Sequence, residues 1–590
     1  MFRVAAGALR SLAAGSLALQ RQAAAAPQAA AGLLQLIGSS SSQDVQQSAA
    51  AFSKRAFAGP AAKQQAAAMP AAFEQLLPLL ASSSRDAQKK AADTLYDLAY
   101  NDPAFTRQIA SMPGAVEQLV QLLVSSSQDV QVAAAGALRN LAAGNMARKP
   151  RIAAMPQTVE PLVQLLASSS QAVQEAAAGA LANLAAGNLA RRRQVAAVPG
   201  AVEQLVQLLG SSSQAVQMEA ARTLQNLAHG SAAFKQQIAS MPGAVEQLLQ
   251  LLGSSSQDVQ AAAARALCVL AIHIPALQQQ IAARPKALEQ LVQLLASSSQ
   301  DVQQAAAGTL RNLAYKNLTL QQQIAAMPTA VEQLVQLLAS SSQEVQAAAA
   351  AALSTLSYKN LTLQRQIAAV PTAVEQLVQL LASSSQGVQA AAATALFNLA
   401  LGSTVKWQIA AVPTAMEQLV QLLASSSQDV QEAAASALSQ LALTSMDTTR
   451  QIAAVPNAVE QLVQLLASSS HDVQKAAAGV LRILAGCKLL HQIVVVPTAV
   501  EQLLPLLASS CQEVQKAATD VLFNLASINR ALQQQIAAVA QAVEQLVQLL
   551  ASSSKDVQIA AAWTLYALGQ GNKDVTRRIR AMPEVWDLLE

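Results

Sequence analysis

Cys268, Cys487 and Cys511 are the chain's only thiols, and His229, His273, His471 and His491 its only imidazoles. A protein-bound metal needs several such groups at short fixed spacings, and a nucleophile needs a base held beside it. These seven are scattered without pairing or ligand spacing, so neither a metal site nor a disulfide framework is expected, and a reducing compartment suits them. No phosphate-cradling glycine loop or nucleophile signature occurs either, so no cofactor and no enzymatic activity is expected. Charge chemistry has one candidate. "ARKPR" (147–151) and "ARRRQ" (190–194) lie 43 residues apart. That interval stacks Arg148, Lys149 and Arg151 with Arg191, Arg192 and Arg193 along one basic edge, which could meet RNA or an acidic partner. No aromatic residue accompanies the clusters for base stacking, which disfavours nucleic acid and leaves a solvated edge as the alternative. Two Asn-Leu-Thr sequons, at Asn317 and Asn360, are discounted because no secretory signal is present.

These residues must be positioned by something other than one globular core, because 590 residues exceed what a single core supports. Charged residues make up 12% and aromatics 3%, while Ala, Gln, Leu and Ser dominate, a mix that suits helices. The surplus of Lys and Arg over Asp and Glu is four, too thin to dictate a polyanionic partner unless it is concentrated. Gln or Ser interrupts every Leu/Val run before it could cross a membrane. Self-similarity sets the architecture. "MPGAVEQLVQLLVSSSQDVQVAAAGALRNLAAGN" (112–145) recurs down the chain, its leading proline falling at 27, 70, 113, 156, 199, 242, 285, 328 and 371, always 43 residues on, then at 413, 456, 497 and 583, with Ala540 standing in once. The Ser-rich block occurs thirteen times, from Ser39 to Ser554.

Each repeat reads as three helices. A short first helix, Leu318 to Ala326, ends ahead of a proline that disfavours helix in the residue before it. The second, Thr329 to Ser340, places Val331, Leu334, Val335 and Leu338 in an i, i+3, i+4, i+7 stripe. After the serines, Ser298 is expected to cap a third helix, Asp301 to Ala314, with Asp301 complementing its positive end. That helix buries Val302, Ala306, Leu310 and Leu313. Gln131 and its counterparts persist in all thirteen repeats, the pattern of an inter-repeat hydrogen-bond ladder. No such unit covers its own apolar faces, so the fold class expected is all-α, an α-solenoid stabilised by stacking.

The three-helix unit, with "GAVEQLVQLL" opening the second helix and "GALRNLAAGN" closing the third, resembles the armadillo repeat, in about thirteen copies covering nearly the whole chain. The resemblance implies a right-handed superhelix whose third helices line a concave groove. A HEAT array is disfavoured by the glycines between first and second helices, Gly114, Gly200 and Gly243. In armadillo proteins resembling importin-alpha and beta-catenin, an asparagine on the third helix hydrogen-bonds the main chain of an extended peptide. The matching residues are Asn140, Asn183, Asn226, Asn312, Asn398 and Asn524, and the run of the first three is the best clamp. The alternative is an asparagine that holds the helix end. Beside this ladder Arg139, Glu175, Met218, Gln304 and Arg311 are groove-lining candidates. Import receptors also carry a tryptophan one turn earlier. Only Trp563 matches, in a repeat whose asparagine has become Ala567, so a classical import receptor is not expected.

Residues 1–43 hold Arg3, Arg10 and Arg21 but no acid before Asp44, a transit-peptide profile. Yet Gly7 to Ser16 aligns with Gly136 to Asn145 at an offset of three repeats, so residues 1–30 are read as a degenerate half-repeat cap able to double as a transit peptide. Residues 31–570 form the solenoid and 571–590 a C-terminal half-repeat cap. The function expected is a non-enzymatic scaffold binding an extended peptide or protein segment, alone or within a complex, without a membrane span. The alternatives are an organelle RNA-binding solenoid or an architectural subunit. Cytoplasm or nucleus is the expected compartment, and mitochondrion or plastid the alternative if residues 1–30 direct import.

Overall fold

The computed structural model describes residues 76–100, 103–143, 156–187, 189–402, 404–487, 499–528, 530–570 and 573–580. Among them every regular element is helical. They fall into two units, 1–290 and 291–590, and each is an all-α solenoid. The leader, the cap at 1–30 and the cluster at Arg148, Lys149 and Arg151 lie outside the described residues, as do 581–590 of the C-terminal cap. From that cap, the helix Lys573–Arg580 packs on the third helix Lys555–Gly569.

The repeat is built as the apolar period requires. In the second unit Leu318–Ala325, Pro328–Leu338 and Gln343–Ser357 follow one another. The first helix is capped by Asn317, whose Oδ1 accepts from Leu320 N at 3.1 Å. The second starts with Pro328 in its first turn, where a missing N–H leaves no orphan. Val331, Leu334, Val335 and Leu338 are all buried. Where glycine precedes the second helix it has a positive φ, 81° at Gly114, 77° at Gly200 and 79° at Gly243. That left-handed turn separates two helices that would otherwise run together.

Third helices stack in series within each unit. Gln128–Ala143 lies against Gln171–Ala185 and that against Gln214–Ala228. Alanines at the crossings, such as Ala134, Ala177 and Ala220, are fully buried and let the backbones approach closely. Leucines such as Leu181, Leu224 and Leu310 close the core, each contributing roughly 1.5–3 kcal/mol by burial.

Two sequence expectations about the serine block are corrected. The cap of Gln300–Ala314 is Ser299, not Ser298, its Oγ accepting from Val302 N at 3.5 Å. Ser299 has the extended backbone a cap needs, φ −89° and ψ 119°. The persistent glutamine closes its own repeat instead of linking two: Gln131 Nε2 donates to Ser125 O, and Gln303 Nε2 to Ser297 O, both at 2.7 Å. One helical turn in, this side chain points back over its own loop. The ladder between repeats belongs to the glutamine three residues earlier, which projects from the helix start onto the next serine block. Gln171 Nε2 donates to Ser212 Oγ at 2.7 Å, Gln214 to Ser255 at 2.8 Å, and Gln343 to Ser384 at 2.8 Å.

Candidate functional site

The third-helix face of the first unit brings together most of the polar side chains singled out from sequence. Asn140 Nδ2 donates to Tyr96 O at 3.0 Å, Asn183 to Arg139 O at 2.8 Å, and Asn226 to Ala182 O at 2.9 Å. Each asparagine thus bridges to the third helix of the preceding repeat. In the second unit Asn398 donates to Ser354 O at 3.0 Å and Asn524 to Arg482 O at 3.3 Å. Asn140 and Asn398 are buried, whereas Asn183, Asn226, Asn312 and Asn524 are half-buried. One amide N–H is therefore used to orient Asn140, Asn183, Asn226 and Asn524, and a primary amide has a second; Asn398 donates to Ser354 Oγ as well, at 2.9 Å.

A charge cluster spans three of these helices. Arg139 is ion-paired through Nη2 with Glu219, two repeats ahead, and lies 4.0 Å from Glu175. Arg222 Nη1 sits 3.3 Å from Glu219 Oε2, and its Nη2 donates to Asn183 Oδ1. Glu219 is fully buried, while the side chains of Arg139 and Arg222 remain 27% and 32% exposed. Arg139 reaches that far because Gly179 lies beneath it. A Cβ at 179 would stand 2.9 Å from Arg139 Cδ and Nε, closer than any unshifted contact. Burial lowers the pKa of the Arg222 guanidinium; Glu219 opposes the shift and Arg139 adds to it. Met218 and Glu175 flank the cluster, half-buried. Glu219 itself was not singled out from sequence. The signal was present, because the same position in the neighbouring repeats is alanine, Ala133, Ala176 and Ala262. In the second unit Gln304 is half-buried and Arg311 exposed on the corresponding face. Trp563 lies edge-on to Phe523 and Tyr566, with ring centres 6.4 and 6.0 Å away.

The expected basic edge is reduced to a single exposed side chain in the part that is described. Arg191 is buried. Arg192 donates to Ala185 O and Gly187 O, both at 3.2 Å, and to His229 O. Burial lowers the pKa of both groups. The charge of Arg192 is spent on helix C-termini, whose carbonyls attract cations. Only Arg193 is exposed. Among the described residues no group of three His, Cys, Asp or Glu could hold a metal, and no helix is long and apolar enough to cross a membrane.

Residues 106–143, 448–486 and 533–566 match the Armadillo/beta-catenin-like repeat family, whose three-helix unit is the one built here. The chain is an armadillo-repeat protein. Overlapping windows across 159–439 also match HEAT repeats, although the repeats there keep a short first helix, from Leu189–Ala196 to Val405–Ala411, wherever that segment is described. An engineered protein of known crystal structure is 35% identical, with 77% of this chain and 98% of that chain covered and a TM-score of 0.50. A structure reported for a phosphorylation switch in the interaction between cadherin and beta-catenin is 19% identical over 85% of this chain and 99% of that one, with a TM-score of 0.54. A designed armadillo repeat protein in complex with the peptide (KR)4 is 28% identical over 41% and 99%, with a TM-score of 0.37. No curated protein matches the sequence.

Proposed function

We propose that this armadillo-repeat protein is a non-enzymatic scaffold that binds an extended segment of a partner protein along its third-helix face, with the main site on residues 128–228. The observation that carries the reading is the register of half-exposed polar groups on that face: the amides of Asn183 and Asn226, one repeat apart, and two guanidinium groups fixed by one buried carboxylate. Third helices packed about 8–10 Å apart match two to three residues of an extended chain at roughly 3.3 Å each. A bound main chain can therefore meet one amide per repeat. Asn183 and Asn226 are the principal clamp; Asn140, being buried, serves chiefly as the bridge between helices. Arg139 and Arg222 read an acidic side chain, with Glu175 and Met218 as neighbours. In the second unit Asn312 and Asn524, with Gln304 and Arg311, form a separate face of the same kind, while Asn398, buried like Asn140, serves as a bridge between helices. The RNA alternative is the less favoured reading, because Arg192 is already bonded to helix-end carbonyls and Arg191 is buried. A cytoplasmic or nuclear location belongs to this reading, with an organelle as the alternative if residues 1–30 direct import.

The test is affinity purification from the native cell with the wild-type chain and with Met218→Arg plus Gln225→Arg. Both positions are half-buried on the face and lie outside the ion cluster. Loss of a defined set of proteins, with helicity retained, supports the site and identifies its ligand. An unchanged set refutes it.

A further inference from the structure

The loops joining third helices to the next first helices form one edge of the second unit, and two of them carry the same residues, "YKNL" at 315–318 and at 358–361. Tyr315 and Tyr358 are 41% and 42% exposed, and Leu318 and Leu361 are each 58% exposed. The next loop and helix add Leu401 at 39% and Trp407 at 52%. Single exposed apolar residues are ordinary, but a contiguous line of them is not. Contiguity follows from the hydrogen bonds that tie these loops together. Asn360 Nδ2 donates to Gln321 Oε1 at 3.4 Å, Gln321 Nε2 to Thr355 O at 3.3 Å, and Gln364 Nε2 to Asn398 O at 3.0 Å.

The edge is also basic. Residues 315–326, 358–369 and 401–411 contain Lys316, Lys359, Arg365 and Lys406 and no carboxylate. One repeat further, Leu443 and Met446 continue the apolar line, but Asp447 pairs there with Arg450 at 2.9 Å and ends the uncompensated stretch. Lys316 and Lys359 hold left-handed backbone, φ 55° and 54°, at the position where the first unit has Gly230 at 71°. A side chain at such an angle carries strain that glycine would not. Each lysine amine stands 5.3 Å from the ring centre of the tyrosine before it, so cation and aromatic are presented together.

We propose that this edge is a second docking surface, for an acidic partner segment carrying leucine or aromatic side chains. Charge complementarity selects the acidic partner, and the exposed Leu and Tyr pairs supply the apolar contacts. Tyr315, Tyr358 and Trp407 offer faces for bases as well, but four cations over three repeats are too few to track a phosphate backbone, and the exposed leucines add nothing to base stacking. Asn317, Thr319 and Thr362 interleave polar groups between the apolar ones, which suits side chains entering one at a time better than the interior of a lipid layer.

The test uses the full chain and a labelled synthetic peptide in which Leu and Phe alternate with Asp and Glu, read by fluorescence anisotropy. Its control is the same peptide with Lys in place of the acids. Variants are Lys316→Glu with Lys359→Glu, and Leu318→Ser with Leu361→Ser; all four side chains are exposed, and circular dichroism confirms folding. The acidic peptide should bind, its lysine counterpart should not, and each variant pair should weaken binding by about tenfold or more. Absent binding, or binding indifferent to both pairs, overturns the proposal. Sedimentation with phosphatidylserine vesicles, abolished by the lysine substitutions while the peptide does not bind, would assign the edge to lipid instead. Self-association lost in the same variants would assign it to a second copy.

Discussion

Replacing Gly179 by alanine should destabilise the protein even though alanine is the better helix former, and the reason is a side chain that starts one helix earlier. In isolation the change favours the helix Gln171–Ala185 by about 1 kcal/mol. Its Cβ, however, would stand 2.9 Å from Arg139 Cδ and Nε, so the arginine must move. Its guanidinium then leaves Glu219, which is fully buried. Breaking a buried ion pair costs about 3–5 kcal/mol. Arg222 stays at 3.3 Å from Glu219 and Arg139 can rehydrate, which reduces the loss to about 2–3 kcal/mol. The net effect is about 1–2 kcal/mol of destabilisation. With Arg139 already replaced by alanine, the same substitution meets no arginine and should stabilise by about 1 kcal/mol. The assay is urea denaturation of the four proteins of this cycle by circular dichroism. Because a solenoid need not unfold in two states, hydrogen exchange in residues 128–143, 171–185 and 214–228 localises the effect. The change of sign is the decisive result. If Gly179→Ala has the same sign in both backgrounds, agreeing within about 0.5 kcal/mol, Arg139 does not depend on the glycine and the account of the cluster fails.

Two further substitutions test buried charge. Lys235 is buried, donates to Ile272 O at 3.2 Å, and has its pKa lowered by burial, with Cys268 opposing; Gln278, Gln321 and Gln364 fill the same position in the following repeats. Lys235→Gln should raise the urea midpoint at neutral pH, where the ammonium is disfavoured in the fold. That advantage should shrink as pH rises through the lowered pKa toward the ordinary 10.5, since the wild-type amine can then be buried neutral. Burial, followed by Asp472 and Asp429, raises the Glu432 carboxyl pKa against the pull of Lys475. Stability from that group is present below the ordinary 4.5 and lost as pH rises through the raised value. Glu432→Gln should therefore give a higher midpoint than wild type at pH 7 and no difference once the pH is below 4.5, whereas a pH-independent difference would contradict it.

Periodicity made the helices legible because burial repeats in register with the helical turn. Val331, Leu334, Val335 and Leu338 lie inside as the pattern requires, and the third helix expected from Asp301 to Ala314 begins one residue earlier, at Gln300. Polar side chains were less legible, since their partners are set by reach and direction. Gln131 was expected to link repeats and instead closes its own loop. Arg191 and Arg192 carry the charge of an exposed patch, yet Arg191 is buried and Arg192 turns toward carbonyls at a helix end.

The sequence by itself determined the repeat, its three helices and the apolar stripe of each, because these depend on neighbours along the chain and on one period repeated. Only the tertiary structure decided which polar groups meet. Arg139 and Glu219 are 80 residues apart and join across an intervening helix, and the asparagines each find a carbonyl on the preceding repeat. Such pairs have no signature in spacing, because they are fixed by how closely third helices stack and by the absence of a side chain at Gly179.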